Sequence, residues 1–127
     1  MRFAFDTENG LVIVFAELFG PSASAVLRLA VDTGATSTLL NAVHLVAVGY
    51  DPALVPVRVQ VTTGSGMEYV PRVQIVRIKA LGQERVHFPV LSHTLPPTAP
   101  VDGLLGLDFL RGQRLVVDFR TATVSLS

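Results

Sequence analysis

Apolar residues come in short runs along this chain, broken by glycine, proline and small polar residues. Residues 11–18 are rich in Val, Ile and Phe. The cluster Phe19-Gly20-Pro21-Ser22-Ala23-Ser24 follows, and residues 25–31 resume as a second apolar run. Two such runs about a turn cluster predict a β-hairpin. A short β-like stretch covers residues 37–40. Asn41 is suited to cap a helix over residues 42–48, because its side-chain oxygen can accept a backbone N–H that the first helical turn leaves unpaired. Gly49 would close that helix, with Pro52 just beyond. The helix is short and largely apolar, which predicts packing on a sheet.

Residues 55–63 alternate. Val55, Val57, Val59 and Val61 fall on one side, and Pro56, Arg58, Gln60 and Thr62 on the other. A period of two predicts a half-buried strand. Thr63-Gly64-Ser65-Gly66 predicts a hairpin tip. Residues 67–80 return as a long strand interrupted by Pro71. Residues 81–84 read as a turn and 85–91 as another strand. Residues 94–100 carry three prolines and read as irregular. Asp108 to Arg111 reads as one helical turn, and residues 115–119 and 123–126 as a last hairpin. The pattern predicts one mostly-β domain over residues 1–127, a small closed barrel or folded-over sheet with one or two short helices.

The chain has 127 residues, a length that fits one domain and buries roughly two-thirds of its unfolded surface without staples. Half of the residues are apolar and 16% are charged, which excludes disorder. The formal net charge is zero, so no field attracts nucleic acid or an anionic membrane. Cysteine is absent, which excludes disulfides, thiolate zinc sites and thiol catalysis. The longest apolar run near the N-terminus, residues 11–16, is too short for a signal-peptide core. Asp6 and Glu8 stand where a basic region would be. The expectation is no signal peptide, no transmembrane helix and a cytoplasmic protein. The apolar excess suggests burial against a partner.

Ala30-Val31-Asp32-Thr33-Gly34-Ala35 carries the chemistry. Asp, Thr and Gly in a row ordinarily spell a surface turn. Here the context is apolar on both sides, so the turn points inward. Far downstream lies Val101-Asp102-Gly103-Leu104-Leu105-Gly106, an apolar-apolar-glycine run leading into a short helix. The Gly-rich tip at Thr63, Gly64, Ser65 and Gly66 lies between the two.

With these three elements in this order, the chain resembles the retropepsin-like, or retroviral-type, aspartic proteases over roughly residues 10–119. The resemblance implies that Asp32 is the catalytic carboxylate. It implies that Thr33 locks two active-site loops across a dimer, and that Gly34 lets a substrate backbone approach closely. Ala35 completes the active-site loop. Leu104, Leu105 and Gly106 would pack behind it, and Thr63 to Gly66 would be the tip of a flap over residues 62–69. The flap tip has two glycines here, and residues 121–127 extend past the point where viral enzymes end.

Peptide hydrolysis needs a base to activate water and an acid to protonate the departing group. Two facing carboxylates that share one proton supply both, because like charges so close cannot both ionise. The chain has one D-T-G and no second D-T-G or D-S-G; Asp102-Gly103 lacks the middle hydroxyl residue. One chain therefore supplies half a site, and a two-fold homodimer completes it. Residues 2–5 and 123–126 are candidate interface strands, since an unpaired strand is otherwise a liability. The expected substrate is a peptide or protein with apolar side chains beside the cut, lying against Val59, Val61, Leu104 and Leu105. No cofactor and no metal are expected.

The alternative is a catalytically silent dimerisation or peptide-binding module on the same fold, because fold does not imply function. Other chemistry is weaker. His44, His87 and His93 lack metal-ligand spacing. No serine sits in G-x-S-x-G. Asp102, Asp108 and Asp118 read as turn, cap or strand-end residues. Glu68 reads as solvated flap surface, and Arg111 and Arg114 as partners for acidic groups.

Overall fold

The computed structural model describes residues 1–63 and 66–127, with the side chain of Thr63 also left out. Ten strands, two short helices and a 3-10 turn at Pro52–Leu54 make up the described chain. In chain order the strands are β1 (Phe3–Ala4), β2 (Ile13–Phe19), β3 (Ser24–Val31), β4 (Leu39–Asn41), β5 (Arg58–Thr63), β6 (Gly66–Ala80), β7 (Gln83–His93), β8 (Gly103–Leu105), β9 (Leu115–Asp118) and β10 (Thr123–Leu126). The helices are α1 (Ala42–Ala47) and α2 (Leu107–Leu110).

The larger sheet runs β2-β3-β8-β4-β7-β6-β5, and β2 also pairs with β6. That second pairing closes six strands into a barrel and leaves β5 outside it, paired among the described residues with β6 alone. The mostly-β barrel with two short helices is thus as the pattern predicts. The core fills the barrel with Leu18, Leu27, Leu29, Leu40, Ile75, Ile78, Leu105 and Phe109, all essentially unexposed. Phe109 packs edge-on to Phe88.

Helix α1 starts where the sequence places it. Asn41 Oδ1 accepts from Val43 N, and Gly49 closes the helix in the left-handed region at φ +108. Leu45 and Val48 are buried, but Val43 and Val46 face solvent at 61% and 60% exposure. The helix packs as expected, and because it has only six residues it presents one stripe to the barrel.

Four expectations need correcting. Strand β6 runs unbroken through Pro71. There it changes neighbours, pairing with β5 up to Pro71 and with β7 from Arg72 on. A proline has no N–H to lose, so a change of partner is a place that tolerates it. Residues 55–57 precede β5, and Val57 is 51% exposed; the valine face of β5 is only partly covered because the strand stands outside the barrel. Residues 2–5 and 123–126 are not free strands, because β1 pairs with β10, which pairs with β9, in one three-stranded sheet. Arg111 and Arg114 form no ion pair among the described residues; Arg114 instead exchanges backbone hydrogen bonds with Ser127.

Two polar groups finish the ladders. The Tyr50 hydroxyl donates to Phe19 O and accepts from Val76 N, both at 2.7 Å. It bridges β2 and β6 just where their pairing ends. Tyr50→Phe removes one donor and leaves two backbone groups short of a partner. It is expected to destabilise the fold by about 1–3 kcal/mol, read from the midpoint of denaturant unfolding. At the turn after β9, Asp118 accepts from Thr121 N and Arg120 N. Those two N–H groups, Thr121's first, hold its carboxyl below the usual carboxylate range. The stabilisation this gives is present above that range and is lost as pH falls through the lowered folded-state value.

Candidate active site

Asp32 follows directly on β3. That strand lies parallel to β8, with Val31 opposite Leu105, and the Asp32 N–H donates to Leu105 O at 3.0 Å. The chain then turns tightly. Asp32 Oδ1 accepts from Gly34 N at 2.9 Å and Asp32 O from Ala35 N at 3.2 Å. The aspartate thus organises its own loop. Asp32 is partly exposed, Thr33 and Gly34 are exposed, and Ala35 is partly covered. Asp32 joins no ion pair among the described residues, and the Thr33 side chain makes no hydrogen bond there. A Cβ on Gly34 would lie 3.2 Å from Asp32 Oδ1, so any side chain there crowds the carboxylate itself.

The loop rests on the 103–108 segment. Ala35 O accepts from Leu107 N at 2.8 Å. A Cβ on Gly106 would come within 2.7 Å of the Ser37 backbone, and one on Gly103 within 2.1 Å of Leu39 O. Glycine is required at both because backbone crosses backbone too closely for any side chain. The apolar-apolar-glycine run splits as a strand must. Leu105 points into the core with no exposure, whereas Leu104 faces the loop side. The expectation that Leu105 walls the cleft is therefore corrected; successive strand residues face opposite ways.

A link that the sequence reading missed fixes this crossing. Thr38 is completely buried. Its hydroxyl donates to Asp108 Oδ1 at 2.7 Å and accepts from Gly106 N at 3.1 Å, while its N–H also donates to the Asp108 carboxylate. Thr38 O accepts from Leu91 N, which ties the loop to β7 as well. Asp108 is thus the anchor of the segment that follows the Asp32 loop and not a plain helix-end residue. Thr38→Val keeps the shape but strands the Gly106 N–H and takes a donor from a carboxylate. It is expected to cost about 2–4 kcal/mol, measured by chemical unfolding against Tyr50→Phe as a reference.

Beside the loop lies a cleft of ≈ 400 Å³. Ala35, Leu39, Leu91 and Leu104 form its apolar floor, Thr36 and Ser37 a polar rim, and Gln60, Val61 and Thr62 of β5 its far wall. Val61 and Leu104 stand there as expected, while Val59 does not line it. One edge of β5 has no strand partner among the described residues, since β5 pairs with β6 alone. Gly64 and Ser65 of the expected flap tip lie outside the described residues. Gly66 begins β6 at φ +125, with open space where a side chain would go.

His44 Nε2 lies 3.0 Å from Asp102 Oδ1, and Asp102 Oδ2 accepts from Arg28 N. Asp102 therefore holds α1 and β3 to the segment before β8, a structural role as its sequence context suggests. Among the described residues no group of His, Asp and Glu forms a metal-binding cluster.

Comparisons with known proteins agree with this geometry. A family model described as aspartyl protease matches residues 16–109, from within β2 to within α2. A comparison with curated proteins gives no match. Among solved structures, the chain is similar to the crystal structure of a retropepsin-like aspartic protease from Rickettsia conorii. The sequence identity is 18% and the TM-score 0.72, over 99% of this chain and 88% of that one. At that identity the likeness establishes the fold, and the family match spans most of the chain and includes Asp32, Gly34 and Gly106. The chain belongs to the aspartyl protease family and has the retropepsin-like fold.

Proposed function

We propose that this chain, residues 1–127 as one domain, is an aspartic endopeptidase that works as a homodimer. The observation that carries this reading is the single Asp32 loop. It is held rigidly by Thr38 and Asp108 at the side of a cleft, and it leaves its carboxylate partly open to solvent. One carboxylate cannot be base and acid at once. Two copies of the loop, meeting on a two-fold axis, supply both.

In that dimer one Asp32 is ionised and takes a proton from water. The water oxygen attacks the peptide carbonyl carbon, and the protonated Asp32 of the other chain gives its proton to the carbonyl oxygen. The resulting tetrahedral diol collapses with loss of the C–N bond. The proton first taken from water passes to the departing nitrogen, and the second Asp32 recovers its own from the diol hydroxyl. Exposed Thr33, whose side chain makes no hydrogen bond among the described residues, would bond the other loop. Gly34 gives the substrate backbone room. The unpaired β5 edge offers N–H and C=O groups to an extended peptide, the usual way a strand is recognised. The uncharged cleft favours apolar side chains beside the cut.

Exposed Phe15 and Phe119, at 70% and 71% exposure, support burial of part of the surface against a second copy. No helix of the described chain is long and apolar enough to cross a membrane. The test is incubation of the purified chain with a denatured protein. New peptide termini, formed with a bell-shaped pH dependence of kcat/KM as a proton-sharing pair requires, are the expected result. Binding of the denatured chains without any cleavage would mark a silent peptide-binding module instead.

A further inference from the structure

Strand β6 leaves β7 partway along its length. Arg72 is the last residue to pair with β7, opposite Leu91, and from Pro71 toward the tip the strand pairs with β5. Beyond that point the two strands diverge and enclose a wedge of ≈ 620 Å³ at the base of the β5–β6 hairpin. This cavity shares no lining residue with the cleft beside Asp32. The proposal concerns binding here and is independent of the catalytic reading.

Three features of the wedge bear on what it holds. Glu68 of β6 already faces His93 of β7 across it, with Oε2 and Nε2 3.9 Å apart. Arg58 lines it and enters no ion pair among the described residues. Ser92 also lines it. Ser92 is only 3% exposed, yet its hydroxyl has no hydrogen-bond partner among the described residues. No side-chain polar atom there is both sealed off and unpartnered, so this hydroxyl keeps access to the cavity. Register sets the two groups at one level. Arg58 is the partner of Pro71, and Ser92 follows Leu91, the partner of Arg72. The rest of the wall is mixed: Pro52, Ala53, Val70 and Pro71 give it an apolar part, and Tyr69 and Thr94 a polar one.

The geometry points to a second binding site in this wedge, for a ligand with a carboxylate and an apolar body. The carboxylate lies on the Arg58 guanidinium, whose planar fork matches it, and accepts from the Ser92 hydroxyl. The apolar body lies against Pro52 and Val70. A cation is disfavoured, because the Arg58 guanidinium lines the same wedge. A bare inorganic anion would leave most of the volume and the apolar part of the wall unused. Small carboxylic acids and peptide C-termini share this chemistry. A ligand here touches both the hairpin and the barrel, so it fixes the one relative to the other.

The test is a titration of the full chain followed by its backbone amide resonances. The probes are N-acetyl-leucine, N-acetyl-leucinamide, and the peptide acetyl-Ala-Ala-Leu with a free or an amidated C-terminus. The free acids are expected to shift the amides of Arg58, Ser92 and Thr94 saturably, and the amidated probes are not. Arg58→Gln, whose folding the same spectrum verifies, should weaken the acids by about tenfold or more. Ser92→Ala should weaken them by a smaller factor. Tighter binding of the tripeptide acid would identify a peptide terminus as the ligand, and tighter binding of N-acetyl-leucine a small carboxylic acid. The proposal is overturned by equal shifts from acid and amide, by no saturable shift with either acid, by shifts confined to residues 34–37, or by undiminished binding to the Arg58→Gln chain.

Discussion

Asp32→Asn is expected to lower kcat/KM by about four orders of magnitude or more, with fold and dimer unchanged. The substitution is nearly isosteric. Its amide oxygen can still accept the Gly34 N–H that shapes the loop, and the backbone bond from residue 32 to Leu105 O does not involve the side chain. What disappears is the titrating group. An amide can neither take a proton from water nor hand one to the peptide carbonyl, so both acid and base roles fail together. Loss of a group that acts as part of a catalytic unit costs far more than a typical binding contact. The check is kcat/KM on one peptide for both forms, with melting curves and sedimentation to verify that the variant is folded and paired. A folded, paired variant that cleaves at near the wild-type rate excludes the aspartic mechanism.

Activity per chain is expected to collapse on dilution. If each chain holds half a site, turnover tracks the dimer. Below the dissociation constant, specific activity should fall in proportion to chain concentration, and sedimentation should show monomer over the same range. The terminal sheet, formed within one chain, makes this more than a formality. Because β1 is already paired with β10 in its own chain, a monomer can fold without exchanging those strands. Folded monomers without activity are therefore the expected dilute state, in contrast to an unfolded chain. Constant specific activity in a sample shown to be monomeric would mean that one chain carries a whole site.

The elements most legible in the sequence are those fixed by neighbours along the chain. Asn41 and Gly49 bracket α1 because caps and left-handed closures are set by single residues. The β9–β10 hairpin and the proline-rich segment 94–100 are local in the same way. Elements fixed at long range were less legible. Pro71 reads as a strand breaker, and only the exchange of β7 for β5 explains its tolerance. Two-residue β1 is too short to carry a period, and it exists because β10 offers an edge. In the site, Asp32, Gly34 and the glycine of the 104–106 run stand out as a pattern. Thr38 and Asp108 do not, since a buried threonine in one segment and an acid in another become a pair only when β3 and β8 align. Alternation within residues 103–105 separates Leu104 from Leu105, because the run is a strand.

The most direct measurement of the shared site mixes the two chain types. Wild-type and Asp32→Asn chains, both well above the dissociation constant and equilibrated together, should pair at random. A dimer with one carboxylate cannot share a proton and should be inactive. With equal amounts, only about a quarter of the dimers hold two Asp32 side chains, so total activity at fixed total chain should follow the square of the wild-type fraction. A linear dependence on that fraction would show that each chain acts alone and would contradict the account.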